Sequence, residues 1–133
     1  MGDIERFNRA PYYELLGMRA ESCAPGAAIV RLPFDAKLTQ LYDAIHDGVV
    51  LTLADASICV ALATLLEESQ SIATVQLSLS FLAPAGQSDL VAEGTVTRRG
   101  RKLAFGECVI RAGETDVARG HAVCRIAERS SSA

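Results

Sequence analysis

The longest apolar segment of the sequence, residues 49–66, most strongly limits how this chain can fold. It lacks the alternation of a β-strand, it is rich in alanine and leucine, and its length favours a helix. A helix that is apolar on nearly all sides belongs in a protein core. Asp55, near its middle, argues against a membrane span, because an ionised carboxylate at mid-bilayer costs roughly 3 kcal/mol or more. The segment is therefore predicted to be a buried helix of a chain that does not enter the membrane.

The segments on both sides of this helix alternate with the period of a β-strand. Apolar residues occupy every second position of residues 28–34 and again of residues 75–81, where Thr74 is predicted to face away from Leu77. Three further strand-like segments follow, separated by glycine turns: 89–98, 103–112 and 117–126. One strand, one helix and four antiparallel strands predict an α+β fold, an antiparallel β-sheet wrapped around one long buried helix. Small and apolar residues on the other sheet face lead us to expect self-association.

The length of 133 residues predicts a single domain, residues 1–133. The N-terminal segment is predicted to be locally helical, with Asn8 as a cap, Pro11 in a first turn and Gly17 as the stop. Residues 1–10 and 128–133 are expected to be peripheral or frayed.

Composition excludes several classes of function. The net charge of −3 gives no general attraction to nucleic acid or to an anionic membrane. Neither the four cysteines nor the two histidines have the spacing of a metal site, and no dinucleotide, P-loop or Gly-x-Ser-x-Gly motif is present. We expect thiols in a reducing compartment, hence a cytoplasmic protein without a metal.

Asp55 is the residue whose chemistry needs explanation. On a helix it shares a face with mostly apolar neighbours, and burial raises the pKa of a carboxyl group. One interpretation is a structural carboxylate that a local hydroxyl satisfies, with Thr52 as the candidate. The other is a general base or nucleophile. The pattern alone leaves both open.

The predicted helix start contains His46, Asp47 and Gly48. Asp47 suits an N-cap, next to the positive end of the helix dipole. Alternatively, the backbone amides here form an anion or oxyanion site, for which the Asp47 carboxylate would compete. Nine helical residues span about 13 Å, so His46 and Asp55 could act on one atom only from two different chains.

A basic cluster lies on a predicted turn and contains four of the 13 Lys and Arg residues: Arg98, Arg99, Arg101 and Lys102, with Gly100 between them. It is either a solvated hairpin tip or a clamp for phosphates. No aromatic residues are interleaved with these charges, which argues against nucleic acid and favours a small phosphorylated ligand.

Taken together, these residues resemble the hotdog-fold acyl-CoA thioesterases of the PaaI-like, phenylacetate-degradation branch. That family has a His-Gly-Gly motif followed by an apolar helix with an acidic residue nine positions after the histidine, the spacing of His46 and Asp55. Its aromatic-x-x-Pro-Ala strand end resembles residues 81–85. Its valine-led strand, basic glycine turn and Leu-Ala-Phe resemble residues 96–105. The resemblance extends over residues 12–127.

The resemblance implies a role for each matching residue. Asp55 would activate water or attack the thioester carbonyl, and the backbone N–H of Asp47 would polarise that carbonyl. Gln40 and Thr74 would position substrate and water. The basic turn, Arg98 to Lys102, would contact the nucleotide end of coenzyme A. The helix start, with His46 and Gly48, would come from one chain and the acid from another.

Two positions depart from the family pattern. Asp47 replaces the first motif glycine, which keeps a backbone N–H but adds a carboxylate, and Asp43 replaces a glycine three residues before the histidine. The resulting prediction is a hydrolase that converts acyl-CoA to a carboxylic acid and free CoA as a homodimer or homotetramer, with no separate cofactor. The alternatives are a non-catalytic acyl-CoA-binding module and an enoyl-CoA hydratase or dehydratase that uses His46.

Overall fold

Six antiparallel strands pack against one long helix in the computed structural model, which describes residues 4–129. The elements in chain order are α1 (Ile4–Asn8), α2 (Pro11–Leu16), β1 (Arg19–Ala24), β2 (Ala27–Leu32), a 3-10 turn (Ala36–Leu38), α3 (Asp47–Ala63), β3 (Gln70–Phe81), β4 (Leu90–Arg99), β5 (Leu103–Ala112) and β6 (Thr115–Glu128). The strand order in the sheet is β1-β2-β4-β5-β6-β3. The predicted α+β fold, with a sheet around one long buried helix, is confirmed.

Strand β1 is the element that sequence patterning missed. Within it only Ala20 is buried, so the strand carries no apolar alternation. Within residues 4–129 its backbone pairs only with β2, at one edge of the sheet, with a bulge between Ala20 and Ser22. An edge strand of this kind is held by its ladder hydrogen bonds, which leave no mark on the hydropathy pattern.

Helix α3 lies directly on the sheet because glycines face it. A Cβ built on Gly94 of β4 would overlap the carbonyl oxygen of Ser57, and one on Gly106 of β5 would lie 2.6 Å from Ile58 Cγ2. The facing side of the helix is fully buried, with Leu53 and Ile58 at no more than 1% exposure. Close approach of backbones is the physical reason for glycine at these two strand positions.

We expect Gly94→Ala to lower the free energy of unfolding by about 3 kcal/mol, because the added methyl group meets helix backbone, which cannot turn aside as a side chain can. Urea denaturation measures this. Gly48→Ala is the matched control, since its Cβ would meet only the His46 ring, and a change within about 0.5 kcal/mol is expected. Equal stability of the two variants would show that the helix does not rest on Gly94.

Strand β3 forms the opposite edge of the sheet and, within residues 4–129, pairs only with β6. Its register shifts between Thr74 and Gln76, so one extra residue is accommodated there. As a result Thr74 and Leu77 both face α3, where Thr74 bonds to Asp55 and Leu77 lines the same cavity. The prediction that Thr74 faces away from Leu77 was wrong, because strict alternation does not survive a bulge.

The N-terminal helices attach to β1 through Asn8. Its side-chain amide donates to the Ala20 carbonyl at 3.0 Å and accepts the Ala20 N–H at 2.8 Å. Asn8 is therefore not a helix cap, contrary to prediction, since α2 begins after Ala10 with no side-chain cap. Pro11 in the first turn and Gly17 as the left-handed stop are confirmed. For residues 1–3 and 130–133, the predicted frayed ends lie outside the described residues.

In the described part of the chain, no helix combines the length and apolar character that crossing a bilayer requires. No disulfide joins the four cysteines in residues 4–129, of which Cys108 and Cys124 are buried.

Candidate active site

Asp55 is held by a hydroxyl, but not by the one that the sequence suggested. Its Oδ1 accepts a hydrogen bond of 2.7 Å from Thr74 Oγ1, across from α3 to β3. Cys59 Sγ lies 3.7 Å from each of these two oxygens. Thr52, the predicted partner, donates instead to the Gly48 carbonyl at 3.0 Å. Asp55 bonds to Thr74 of β3 and not to Thr52 of its own helix because the bulge in β3 turns Thr74 toward the helix.

The Asp55 carboxylate lies in the wall of a cavity of about 350 Å³. The cavity lies between the N-terminal helices, α3 and β3. Its lining residues are mostly apolar or aromatic: Phe7, Tyr12, Tyr13, Met18, Leu51, Thr52, Asp55, Ala56, Cys59 and Leu77. A mainly apolar chamber with a few polar groups is the usual form of a small-molecule site.

Two other titratable groups of the cavity stay neutral near pH 7. The adjacent Cys124 thiol, burial and the Asp55 carboxylate all raise the pKa of Cys59 well above its usual value. Burial, then the nearness of Cys59 and Asp55, raises the pKa of Tyr13. Because only a thiolate is a strong nucleophile, Cys59 does not fit that role. Asp55 remains as the candidate base or nucleophile.

The helix start differs from the prediction in which residue caps it. His46 has an extended backbone, and its Nδ1 accepts the Gly48 N–H at 2.8 Å. Asp47 is therefore the first helical residue and not the N-cap, and its exposed carboxylate does not consume the amides. Within residues 4–129 no acceptor bonds the Asp47 N–H. One amide donor without an acceptor among the described residues therefore remains at the positive end of the helix.

Gln40 belongs to the tight loop that leads into α3. Its side-chain oxygen accepts the Tyr42 N–H, and its backbone N–H donates to the Ala44 carbonyl at 2.8 Å. Asp43 has a φ of 66° and is the sole non-glycine with positive φ among the residues that the structure describes. That conformation explains physically why a glycine suits this position and why aspartate, one of the residues that tolerate it, can replace glycine.

The basic turn lies at the β4–β5 hairpin. Arg98, Arg101 and Lys102 are exposed and, in the described part of the chain, form no ion pair. Arg99 donates to the Gly100 carbonyl at 2.8 Å and lies 3.5 Å from the Gln70 side-chain oxygen. In the described part of the chain no neighbouring carboxylate neutralises this positive charge. A turn that binds phosphate requires such unneutralised charge.

One cross-strand row connects this turn to Asp55. Arg99 is paired with Ala104, Ala104 with Cys124, and Cys124 with Thr74. Three strand spacings separate Thr74 from Arg99 by about 14 Å. The basic turn is thus at one end of this row, and Thr74, which bonds Asp55, is at the other.

Within one chain the predicted site residues form three separate groups. Asp55 and Thr74 are in contact and form the first group. The second group lies at the start of α3 and contains Gln40, His46, Asp47 and Gly48. Eight helical residues separate Asp47 from Asp55, a distance of about 12 Å along the helix axis. The basic turn is the third group. Sequence reasoning missed Tyr12, Tyr13 and Leu77 as cavity residues, although paired tyrosines in a short amphipathic helix were a usable signal.

Comparisons with known proteins agree with this architecture. A family model described as the thioesterase superfamily matches residues 42–119. A Halobacterium salinarum protein named "Putative esterase" is 31% identical over 97 residues, which cover 69% of this chain and 64% of the relative. A Pseudomonas aeruginosa protein with the same designation is 32% identical over 114 residues, or 84% of this chain and 85% of that protein. This chain thus spans less than two thirds of the Halobacterium relative.

Solved structures show the same fold. A thioesterase family protein from Silicibacter pomeroyi is 29% identical, with a TM-score of 0.88 over 94% of this chain and 95% of that chain. A thioesterase from Haemophilus influenzae is 17% identical, with a TM-score of 0.88 over 96% and 92% of the two chains. At 17% identity, the likeness to the Haemophilus influenzae protein concerns the fold alone.

Proposed function

Since this chain belongs to the thioesterase superfamily, we propose that it hydrolyses acyl-CoA thioesters to a carboxylic acid and free CoA. The observation that carries the proposal is the Asp55 carboxylate, bonded by Thr74 in the wall of an apolar cavity. Such a cavity suits an acyl group, and the carboxylate beside it suits attack on the thioester. The motif spacing supports a place in the PaaI-like branch.

Asp55 is assigned the proton transfer. As a general base it takes a proton from water while the oxygen attacks the thioester carbonyl carbon. The tetrahedral intermediate then collapses, the carbon–sulfur bond breaks, and the departing CoA thiolate takes the proton from Asp55. Thr74 holds the carboxylate in position through its 2.7 Å bond. Direct attack by Asp55 on the carbonyl is the covalent variant of the same assignment.

The Asp47 N–H is assigned to the carbonyl oxygen, and it comes from a second copy of the chain. A helix-start amide is a suitable donor to a developing oxyanion. The separation of about 12 Å along α3 prevents one chain from supplying both groups to one carbonyl. His46 serves this donor indirectly, because its bond to Gly48 fixes the first turn of the helix.

The open edge of β3 is the surface through which we expect the two copies to meet. The strand is 12 residues long, and its middle residues, from Ala73 to Gln76, are exposed. A long, unprotected edge strand with Val75 60% exposed invites pairing with a second strand. Thr74 lies on that edge, so a partner there approaches Asp55. The assembly is a homodimer, or a dimer of dimers.

The basic turn is assigned to the phosphates of CoA. Arg98, Arg101 and Lys102 carry charge that no carboxylate neutralises within the described residues. The row of about 14 Å from Thr74 to Arg99 suits an extended pantetheine arm between the thioester and the nucleotide.

Thiol release from a panel of acyl-CoA esters tests the proposal. We expect saturable hydrolysis of at least one ester, with free CoA detected by a thiol reagent. Saturable binding without any thiol release would contradict it and support an acyl-CoA-binding module. Hydration of an enoyl-CoA that is lost in His46→Ala would support the hydratase, although His46 Nδ1 is occupied by the Gly48 N–H.

A further inference from the structure

The cavity beside Asp55 is closed on one side by the N-terminal helices. Phe7 of α1 and Tyr13 of α2 face each other with ring centroids 6.2 Å apart, and both line the cavity. Tyr13 and Met18 are buried and form its inner wall, whereas Tyr12 and Leu51 are partly exposed and form its outer end. The cavity is therefore walled on its inner side and opens to solvent at the end where Tyr12 and Leu51 lie.

The lining determines which charge a bound acyl group can carry. Among the described residues around the cavity none is cationic, and Asp55 is the one carboxylate. The carboxylate of a dicarboxylic acyl group would lose its hydration here and would also be repelled by Asp55. An uncharged hydrocarbon chain meets neither cost.

The volume limits the length of that chain. A methylene group occupies roughly the volume of one water molecule, about 30 Å³. A cavity of about 350 Å³ thus has room for on the order of ten carbon atoms.

Tyr12 sets the outer end through a hydrogen bond between two helices. Its hydroxyl lies 3.3 Å from Thr52 Oγ1. The single Thr52 hydroxyl proton is donated to the Gly48 carbonyl at 3.0 Å, so the Tyr12 hydroxyl is the donor of this bond. The bond ties α2 to α3 where the cavity reaches solvent, with Tyr12 53% exposed.

We propose that this cavity selects uncharged, apolar acyl groups of medium length and that Tyr12 is the residue that limits their length. The assignment of the ligand as a CoA thioester rests on the proposed function. The selection by charge and length rests on the lining and the Tyr12–Thr52 bond.

The test compares esters that differ in one property. Butyryl-CoA and succinyl-CoA have acyl groups of equal carbon number but differ by a carboxylate, and we expect kcat/KM to be at least about tenfold lower for succinyl-CoA. Along the saturated series from acetyl to palmitoyl, we expect kcat/KM to peak near hexanoyl to decanoyl and to fall for palmitoyl.

Three variants locate the limit. Tyr12→Ala opens the outer end, so kcat/KM for palmitoyl-CoA rises about tenfold or more and the peak moves to longer chains. Tyr12→Phe keeps the ring but removes its bond to Thr52, so we expect a smaller shift of the peak in the same direction. Leu15→Ala is the matched control on the same helix, because Leu15 is 62% exposed and does not line the cavity. An unmoved profile in Tyr12→Ala, or equal rates for succinyl-CoA and butyryl-CoA, would overturn the proposal.

Binding separates this proposal from the proposed function. The same series is titrated calorimetrically as acyl-CoA thioether analogues, which cannot be hydrolysed. A medium-length preference in binding without turnover of the esters would support the cavity assignment and sink the hydrolase. Hydrolysis with no preference for length or charge would do the reverse. Absence of both binding and turnover would overturn both.

Discussion

We expect Asp55→Asn to lower kcat/KM for acyl-CoA hydrolysis by about 10²- to 10⁴-fold, because an amide cannot accept a proton from water or attack a carbonyl. The asparagine side-chain oxygen can still accept the 2.7 Å bond from Thr74, so the local geometry is preserved. Thiol release with the best ester of the panel measures the effect.

Thermal unfolding is the control for Asp55→Asn. The substitution replaces a partly buried carboxylate by an amide of equal size that keeps the bond from Thr74. We expect a melting temperature within a few degrees of wild type. Thr74→Ser keeps the hydroxyl and is expected to retain most of the activity. Wild-type hydrolysis by a folded Asp55→Asn protein would remove Asp55 from the mechanism.

A single turnover in ¹⁸O-labelled water distinguishes the two roles of Asp55. A general base delivers labelled oxygen from water to the product acid. In the covalent route Asp55 forms an anhydride with the acyl group, and water then attacks the aspartyl carbonyl, so that the label enters Asp55. Product acid with no labelled oxygen after one turnover would therefore identify a nucleophilic Asp55.

The second large effect is expected for Asp47→Pro, which deletes the backbone N–H of residue 47 together with the exposed carboxylate. Proline is favoured at the first position of a helix, and His46, with φ −64° and ψ 137°, already has the extended backbone that a following proline requires. Loss of one oxyanion donor lowers kcat by about 10²- to 10³-fold. Asp47→Ala keeps the N–H, removes the carboxylate and is expected to retain or raise the activity. Equal activity of the two variants would show that this amide is not the donor.

Mixed assemblies of Asp55→Asn and Asp47→Pro chains test whether the two groups come from different copies. In a two-fold symmetric dimer with a shared site, each mixed dimer has one site with both groups intact. Random mixing then restores about a quarter of wild-type activity, since half the dimers are mixed and half their sites are competent. If both groups belonged to one chain, mixing would restore nothing.

Much of the fold was predictable because its strongest signals are local. The apolar run at residues 49–66 became α3, Asp47–Ala63, and three alternating segments became β4, β5 and β6. Strand β1 was not predictable in this way, because its place depends on pairing with β2 and on only one buried side chain, Ala20.

The candidate site was predictable as a set of residues but not as a set of contacts. The spacing of His46 and Asp55 identified the helix start and the acid. That His46 and not Asp47 caps the helix depends on a bond between Nδ1 and the Gly48 N–H, which no spacing rule supplies. That Thr74 and not Thr52 bonds Asp55 depends on the bulge in β3.

The sequence alone determined the class of fold, the buried helix and the presence of a carboxylate on it, because hydrophobic periodicity and composition act locally along the chain. The tertiary structure alone decided which hydroxyl meets Asp55, which residues enclose its cavity and which strand edge stays open. These depend on register, on a single extra residue in β3, and on helices that pack from distant positions in the chain. Contacts of that kind depend on packing in space, which the order of residues along the chain does not show.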